Sequence, residues 1–383
     1  MKKVLIAGPI SDFGGREVET NIIAKALKND FDVTLFSTGY MTHKSAALQG
    51  LANVSWGSAL KNVVKNNFIL NLFSKVSKIK NKGQLNSEAY INNSASKFLF
   101  NLDSLIWKQI EKQLKNNDVV ILCVQLATKF LPEIVNYCHL NDIKCLIRTT
   151  GTISKIEVSE FQYIKKVDLF IHHSEKNANN LNLQIKLPYV IIDQCALNED
   201  KLLELEHEIK GKLRYGYLGR LSAEKGIVEI AHFFANKAYN FIIAGEGLQE
   251  DEVKGVIRSS THCSYIGAIE NDKIYDFFNQ IDALIIPSHE ETGPLVGLEA
   301  MAAGKIIIST KVGAMEERLK DTINNFWFQI EDLSTLQQVI NQIELLNLEQ
   351  INKIGSELRC KYIQDYSLHA TSTQYIEIVK SLK

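Results

Sequence analysis

Two carboxylates with seven residues between them, Glu291 and Glu299, stand in the segment PSHEETGPLVGLEAMAAG, residues 287–304. The pattern predicts a strand ending at Ser288, a short acidic loop holding Glu290 and Glu291, and a helix opening at Pro294, where a missing N–H costs nothing. Free amides at that helix N-terminus point into the crevice at the carboxyl end of a sheet, and they favour an anion such as a phosphate. Glu299 falls about a turn and a half into the helix, among Leu298, Ala300, Met301 and Ala302. A carboxylate in such apolar company needs hydrogen-bond donors, and sugar hydroxyls supply them.

A second constellation lies upstream in YGYLGRLSAEKG, residues 215–226, with Arg220 just past a strand end and Lys225 ahead of the helical run GIVEIAHFFA. A cation near a helix N-terminus opposes the macrodipole, so its placement makes sense if an anion sits between them. Arg220 and Lys225 together are suited to clamp a diphosphate. His289 and Glu290 flank Glu291 and invite an acid/base reading, against which stands the ordinary polarity of a loop beside an anion site. His172 and His173 end a strand ahead of Ser174, a helix N-cap in pattern, and read as structural. Nine histidines and six cysteines show no metal-ligand spacing, and the one DxD-like stretch, Asp30-Phe31-Asp32, reads as a turn at a strand entry.

The elements that must position these groups are legible as short Val- and Ile-rich runs, each followed by a helical pattern, the signature of parallel strands with helical crossovers. In the first half the runs cover 4–8, 32–38, 118–124, 144–149, 168–173 and 189–193; in the second, 215–219, 240–245, 263–267, 283–288 and 305–310. This predicts two doubly wound α/β units in series. The polar stretch 194–213 has no strand signal and puts the boundary near 200, giving domains 1–200 and 201–366. Beyond 330 the pattern is helical.

Four elements occur in a fixed order: Gly219, Arg220, Lys225 and Gly226; the turn Gly245-Glu246-Gly247; Glu291; and Glu299-Ala300-Met301-Ala302 with Gly304. Together they resemble the retaining GT-B glycosyltransferases of the glycosyltransferase group 1 type over about 100 residues of the C-terminal half. The resemblance implies two Rossmann-like domains facing across a cleft, with a C-terminal helix, 367–383, crossing back to the N-terminal domain. It implies a nucleotide-sugar donor held mainly by the C-terminal domain. Arg220 and Lys225 would neutralise its diphosphate, amides around Gly293, Leu295 and Val296 would complete the phosphate site, Glu299 would bind ribose hydroxyls and Glu291 would meet the sugar. The family transfers with retention and without a bound metal or other cofactor, which makes Glu291, Arg220 and Lys225 the expected catalytic set.

The N-terminal half matches less closely. Gly14 and Gly15 in GPISDFGGREVETNIIAKAL open a helix after the first strand, as the family's glycine pair does beside the transferred sugar and diphosphate. Their spacing is not that of a dinucleotide fingerprint, which argues against an NAD enzyme. Where the family often carries a histidine after the strand DVVILCV, this chain has Gln125 nearby. Gln125, Arg148 and Thr149 are expected on the acceptor side, with Thr150 and Gly151 completing the strand end or making a turn.

Composition narrows the alternatives. In 383 residues, 45% apolar and 23% charged, two sizeable cores are affordable and disorder is unexpected. A formal net charge of −1 argues against a nucleic-acid binder acting through overall charge. The six cysteines lack CxxC spacing and read as buried thiols of a reducing cytosol. The opening MKKVLIAGPISD has too short an apolar run for a signal peptide, and no run reaches the length of a membrane span. The charge is asymmetric: +6 over residues 1–200 and −7 over the remainder. No acidic residue lies between Asp32 and Glu88, a window holding Lys44, Lys61, Lys65, Lys75, Lys78, Lys80 and Lys82. Val63, Val64, Phe68, Ile69, Leu72, Phe73, Val76 and Ile79 recur within it at helical spacing, an amphipathic helix with a basic face.

The expectation is a metal-independent glycosyltransferase of hexosyltransferase type, cytoplasmic or peripheral on the inner face of the plasma membrane. It would move a sugar to a saccharide or lipid-linked acceptor in bacterial cell-envelope polysaccharide or glycoconjugate synthesis. An anionic membrane surface is the further partner that the basic window suggests; the other reading of that window is a solvated lysine face. The rival from another class is a sugar-nucleotide-binding pseudo-enzyme or partner subunit. A hydrolase or epimerase would need a water-activating group that the sequence does not locate.

Overall fold

The structure, a computed structural model, describes residues 1–383 except 152, 154–160, 184, 197, 207–210 and 383. Residues 207–210 belong to the stretch expected to link the domains and lie outside the described residues. Among the described residues, twelve strands form two wholly parallel sheets. The first contains β1 (Lys3–Gly8), β2 (Asp32–Ser37), β3 (Ser55–Ser58), β4 (Val119–Val124), β5 (Lys144–Thr149), β6 (Leu169–His172) and β7 (Tyr189–Ile191), in the order β3-β2-β1-β4-β5-β6-β7. The second contains β8 (Arg214–Leu218), β9 (Asn240–Ala244), β10 (Cys263–Tyr265), β11 (Ala283–Ile286) and β12 (Ile306–Ser309), in the order β10-β9-β8-β11-β12.

The chain divides into two compact units: Met1–His172, Ala178–Ile192 and Ser372–Lys383 form one, and His173–Asn177 with Asp193–Thr371 form the other. In the first unit, alternate residues of each central strand enter different cores. Leu5, Ala7, Val120 and Leu122 pack on one face, and Val4, Ile6, Val119 and Ile121 on the other. Burial on both faces is why these strands read as continuous apolar runs. Tyr375 and Val379 of the last helix, Leu368–Ser381, join the second of these cores, and the Lys2 ammonium donates to the Val379 carbonyl at 3.1 Å. β3 has no counterpart among the expected strands. Its sequence, Ser-Trp-Gly-Ser, offers one large apolar residue and is a strand only because β2 supplies a parallel ladder.

In the second unit one core surrounds the five strands, with Phe234 stacked on Phe241 at a centroid distance of 4.1 Å. Helices Leu333–Glu344 and Leu348–Lys361 follow the last strand, the latter opened by a reciprocal cap between Asn347 and Gln350. Cys123, Cys138, Cys145 and Cys195 are buried as expected; Cys263 is half-buried and Cys360 exposed. No helix of the described residues is long and apolar enough to cross a membrane.

A buried ion pair braces the first unit. Arg148 of β5 has no exposed surface; its Nε and Nη2 both reach Glu19 Oε1 at 2.6 Å, and Nη1 donates to the Ile192 carbonyl. Its predicted acceptor-side role therefore has no surface to act through. The guanidinium ties the helix Gly15–Leu27 and the end of β7 to the middle of the sheet. Removing one partner strands the other charge in an apolar interior. Arg148→Met should destabilise the protein by about 3–5 kcal/mol. The double variant Arg148→Met with Glu19→Leu should recover much of that loss in chemical denaturation.

Candidate active site

The order of the second sheet reverses direction beside β8: β9 and β10 lie to one side, β11 and β12 to the other. Loops leaving β8 and β11 therefore diverge and leave a crevice at their carboxyl ends, where open α/β sheets bind ligands. The two predicted constellations follow these two strands. Lys225 Nζ pairs with Glu291 Oε1, both side chains largely shielded, joining groups 66 residues apart in sequence. The amide of His289 donates to the Glu224 carbonyl at 2.9 Å and ties one loop to the other. Gly226 has φ 63°, and a Cβ there would lie 2.4 Å from the Pro287 carbonyl oxygen, so glycine is what lets the loops close together.

The turn Gly245-Glu246-Gly247 supports the β8 loop from the other side. Leu221 N donates to the Glu246 carbonyl and Gln249 N to the Leu221 carbonyl, each at 2.9 Å. A Cβ on Gly245 would come within 1.8 Å of the Gly219 carbonyl oxygen. The glycines of this motif thus lace two backbones that hold Arg220. Tyr217, its ionisation suppressed by burial, donates to the Arg220 carbonyl at 2.6 Å. The Arg220 side chain is 75% exposed and among the described residues reaches only Glu224, at 3.7 Å, so it stands open to solvent at the crevice rim.

The helix after β11 runs Leu295–Ala302, one residue later than predicted, because Pro294 has extended ψ and occupies the cap position. Its first turn leaves the amides of Leu295 and Val296 without an intrahelical acceptor. Two residues absent from the sequence reading hold this terminus. Arg318, fully buried, donates from Nη1 to the Pro294 carbonyl at 2.6 Å, and its Nε and Nη2 form a bidentate pair with Asp193 at 2.7 Å each. Gly293 packs so tightly against this guanidinium that a Cβ would lie 2.9 Å from Nη2. Neither Asp193 nor Arg318 stands in a motif, so only the fold brings them to the loop.

Glu299 is 6% exposed, and no hydrogen bond or ion pair to its carboxylate is found among the described residues. Burial alone pushes its pKa up from 4.5 to about 7. A buried carboxyl without a partner is costly, and a hydrogen-bond donor would relieve that cost. His289 turns elsewhere, 3.4 Å from Glu229 and 3.7 Å from Glu331, and borders a separate cavity of about 520 Å³ with Lys311, Trp327 and Gln338. Glu290 is exposed.

The first sheet has its own reversal between β1 and β4. Gly14, with φ 141°, caps the helix that begins at Gly15, and Glu17 folds the loop back by accepting from Ser11 N and Oγ at 2.6 and 2.8 Å. Arg16, directly after the glycine pair, reaches Pro9 O at 3.1 Å and Thr150 Oγ1 at 3.5 Å, a cation that the sequence reading passed over. Gln125 is exposed after β4 and lies against Gly151. Thr149 is buried, its hydroxyl 2.9 Å from His172 Nδ1. His172 stacks on Phe170, and burial lowers its pKa to about 4; Ser174 accepts from Asn177 N at 3.2 Å, so both His172 and Ser174 have the structural roles expected of them. Asp30 pairs with Lys380 at 2.8 Å at the entry to β2. Among the described residues, no group of three or more His, Cys, Asp or Glu could hold a metal ion.

Two Rossmann-like units, each with its crevice at a switch point, make this a GT-B fold. Residues 206–359 match the model of the family described as glycosyl transferases group 1. Among curated relatives, lipopolysaccharide 1,2-N-acetylglucosaminetransferase of Salmonella typhimurium is 25% identical over 182 residues, covering 43% of this chain and 47% of that protein. The chain spans just under half the length of the first curated relatives it matches, 45% and 47%. Among solved structures, the apo lipopolysaccharide outer core galactosyltransferase WaaB aligns with TM-score 0.67 at 15% identity, covering 100% of this chain and 99% of that one. Anabaena HepE in complex with UDP and glucose aligns with TM-score 0.68 at 15% identity, covering all of both chains.

A carboxyl whose pKa is raised by folding contributes stability that is present below its unfolded value and lost as pH rises through its folded one. For Glu299 that window runs from 4.5 to about 7, and the shift corresponds to about 3 kcal/mol. Glu299→Gln should therefore match the parent in thermal unfolding near pH 4 and exceed it above pH 7. Taking the difference between variant and parent removes the opposite contribution of His172, whose lowered pKa costs stability as pH falls from 6.5 to about 4.

Proposed function

We propose that this chain is a glycosyltransferase that moves a sugar from a nucleoside diphosphate sugar to a saccharide or lipid-linked acceptor with retention of configuration. The observation that carries the reading is the meeting of Lys225 and Glu291 beside the free amides of Leu295 and Val296, with Glu299 buried and unpartnered on the same helix. In this reading the diphosphate takes Lys225 from Glu291, Arg220 folds in from the rim, and the helix amides complete the anion site. Glu299 accepts from the ribose hydroxyls, which restores its charge. Glu291, released from Lys225, turns to the sugar.

The C1–O bond to the β-phosphate then breaks as the acceptor oxygen bonds to C1 on the same face. The acceptor proton passes to the leaving diphosphate, whose charge Arg220, Lys225 and the amides hold. Positive side chains and dipoles supply the stabilisation that a divalent cation gives elsewhere, so turnover needs no metal. Relatives named for lipopolysaccharide and capsular polysaccharide synthesis support an envelope glycan as the product class.

HepE was solved with UDP, which makes UDP-sugars the first donors to test, ahead of GDP- and ADP-sugars. At least one should raise the thermal unfolding midpoint and be hydrolysed slowly without acceptor. Arg220→Ala and Glu299→Ala should each weaken nucleoside diphosphate binding by about tenfold or more. Turnover should survive EDTA. A melting shift with no hydrolysis and no transfer for any donor assigns the chain instead to sugar-nucleotide binding without catalysis.

A further inference from the structure

The helix Phe68–Lys80 faces the wrong way for a helix of a globular core. Leu70 and Ser74 are its buried residues, and Phe73 and Ser77 are half-buried beside them. The larger apolar side chains turn outward: Phe68 is 81% exposed, Ile69 49%, Leu72 50%, Val76 55% and Ile79 77%. At about 100° per residue these five fall within one arc of roughly 100°, a continuous stripe along the outer surface. Lys75 borders one side of the stripe and Lys80 the other, both exposed.

The orientation is fixed rather than accidental. Asn67 caps the first turn by accepting from Leu70 N at 3.1 Å. At the far end Gly83 N donates to the Lys78 carbonyl at 2.9 Å, and Gly83 lies so close to the Tyr90 ring that a Cβ would clash with it. Val63 and Val64, which the sequence pattern assigns to the same amphipathic run, belong to a separate helix, Ala59–Lys65, and are buried. The neighbouring helix Ser94–Leu99 adds Phe98, 88% exposed, and Leu99, 57% exposed.

We propose that this stripe docks the protein on an anionic lipid surface, with the apolar residues entering the boundary between headgroups and acyl chains and the lysines meeting lipid phosphates. Charge decides the occupant. No acidic residue lies between Asp32 and Glu88, and among the described residues no ion pair to Lys75, Lys78, Lys80 or Lys82 is found, so these lysines present a positive rim. A second copy pairing through the same face would bring two such rims together, a repulsive contact, whereas a leaflet containing anionic lipid attracts both the rim and the stripe. This inference uses none of the donor-site residues and stands apart from the proposed transfer reaction.

The test is co-sedimentation of the full chain at low salt with phosphatidylcholine vesicles containing about one third phosphatidylglycerol. Binding should fall by about tenfold or more on pure phosphatidylcholine vesicles or in high salt. It should fall by a similar factor in the combined variant Phe68→Gln, Leu72→Gln, Val76→Gln and Ile79→Gln, whose unfolding midpoint should match the parent because all four positions are exposed. Lys75→Gln with Lys80→Gln should weaken binding to the anionic vesicles and reduce its salt dependence. Absence of parent binding at low salt, or equal binding by parent and apolar variant, overturns the proposal. So does a dimer in sedimentation velocity that the apolar variant dissolves while the parent ignores vesicles, a result that assigns the stripe to a second copy.

Discussion

The constraint on which the second unit depends is the reversal of strand order between β8 and β11. Helices that follow these two neighbours leave toward opposite faces of the sheet, so neither loop covers the gap. The candidate groups of this unit meet at that gap: Lys225 comes from one side, Glu291 and the helix Leu295–Ala302 from the other. Bringing two exit loops this close requires residues without side chains at the contacts. Gly226 against Pro287 meets that need, and Gly245 against Gly219 does the same where the β9 loop meets the β8 loop. The glycines of the motifs are thus explained by backbone approach, and the charged residues by what the approach leaves open.

The charges of the crevice are paired across its loops with one exception. A free lysine beside a helix N-terminus is unfavourable, and Glu291 offsets it in the unliganded state. Arg318, buried behind the terminus of the helix Leu295–Ala302, adds a second positive charge that Asp193 balances with two hydrogen bonds. Glu299 alone has no such balance, and its raised pKa records the cost of leaving it so. A fold that had only stability to satisfy would favour an apolar residue there, and the proposed contact with ribose hydroxyls is what would offset that cost.

Eleven of the twelve strands were legible because a parallel strand buried on both faces reads as an uninterrupted apolar run, as in VVILCV of β4. β3 was not legible, since Ser-Trp-Gly-Ser has no pattern of its own. The motifs of the crevice were legible because backbone approach and charge restrict residue types locally. Arg318 and Asp193 were not, because their pairing spans 125 residues and either alone is an ordinary charge. Arg148 shows the reverse case. A cation at a strand end suggested a ligand, yet the acid that neutralises it, Glu19, lies 129 residues away and only the packing of helix on sheet reveals it. The basic helix was legible as amphipathic but not in its orientation, because periodicity locates an apolar face without saying what covers it.

The central claim is that the crevice between the ends of β8 and β11 is a nucleoside diphosphate site. A crystal structure of the protein with UDP, or with whichever nucleoside diphosphate stabilises it best, tests this most directly. The account predicts the diphosphate within hydrogen-bonding distance of Lys225 and the Leu295 and Val296 amides, the ribose hydroxyls on Glu299, and the Lys225–Glu291 pair opened. A nucleotide bound elsewhere, with that pair intact and Glu299 still without a partner, would contradict it.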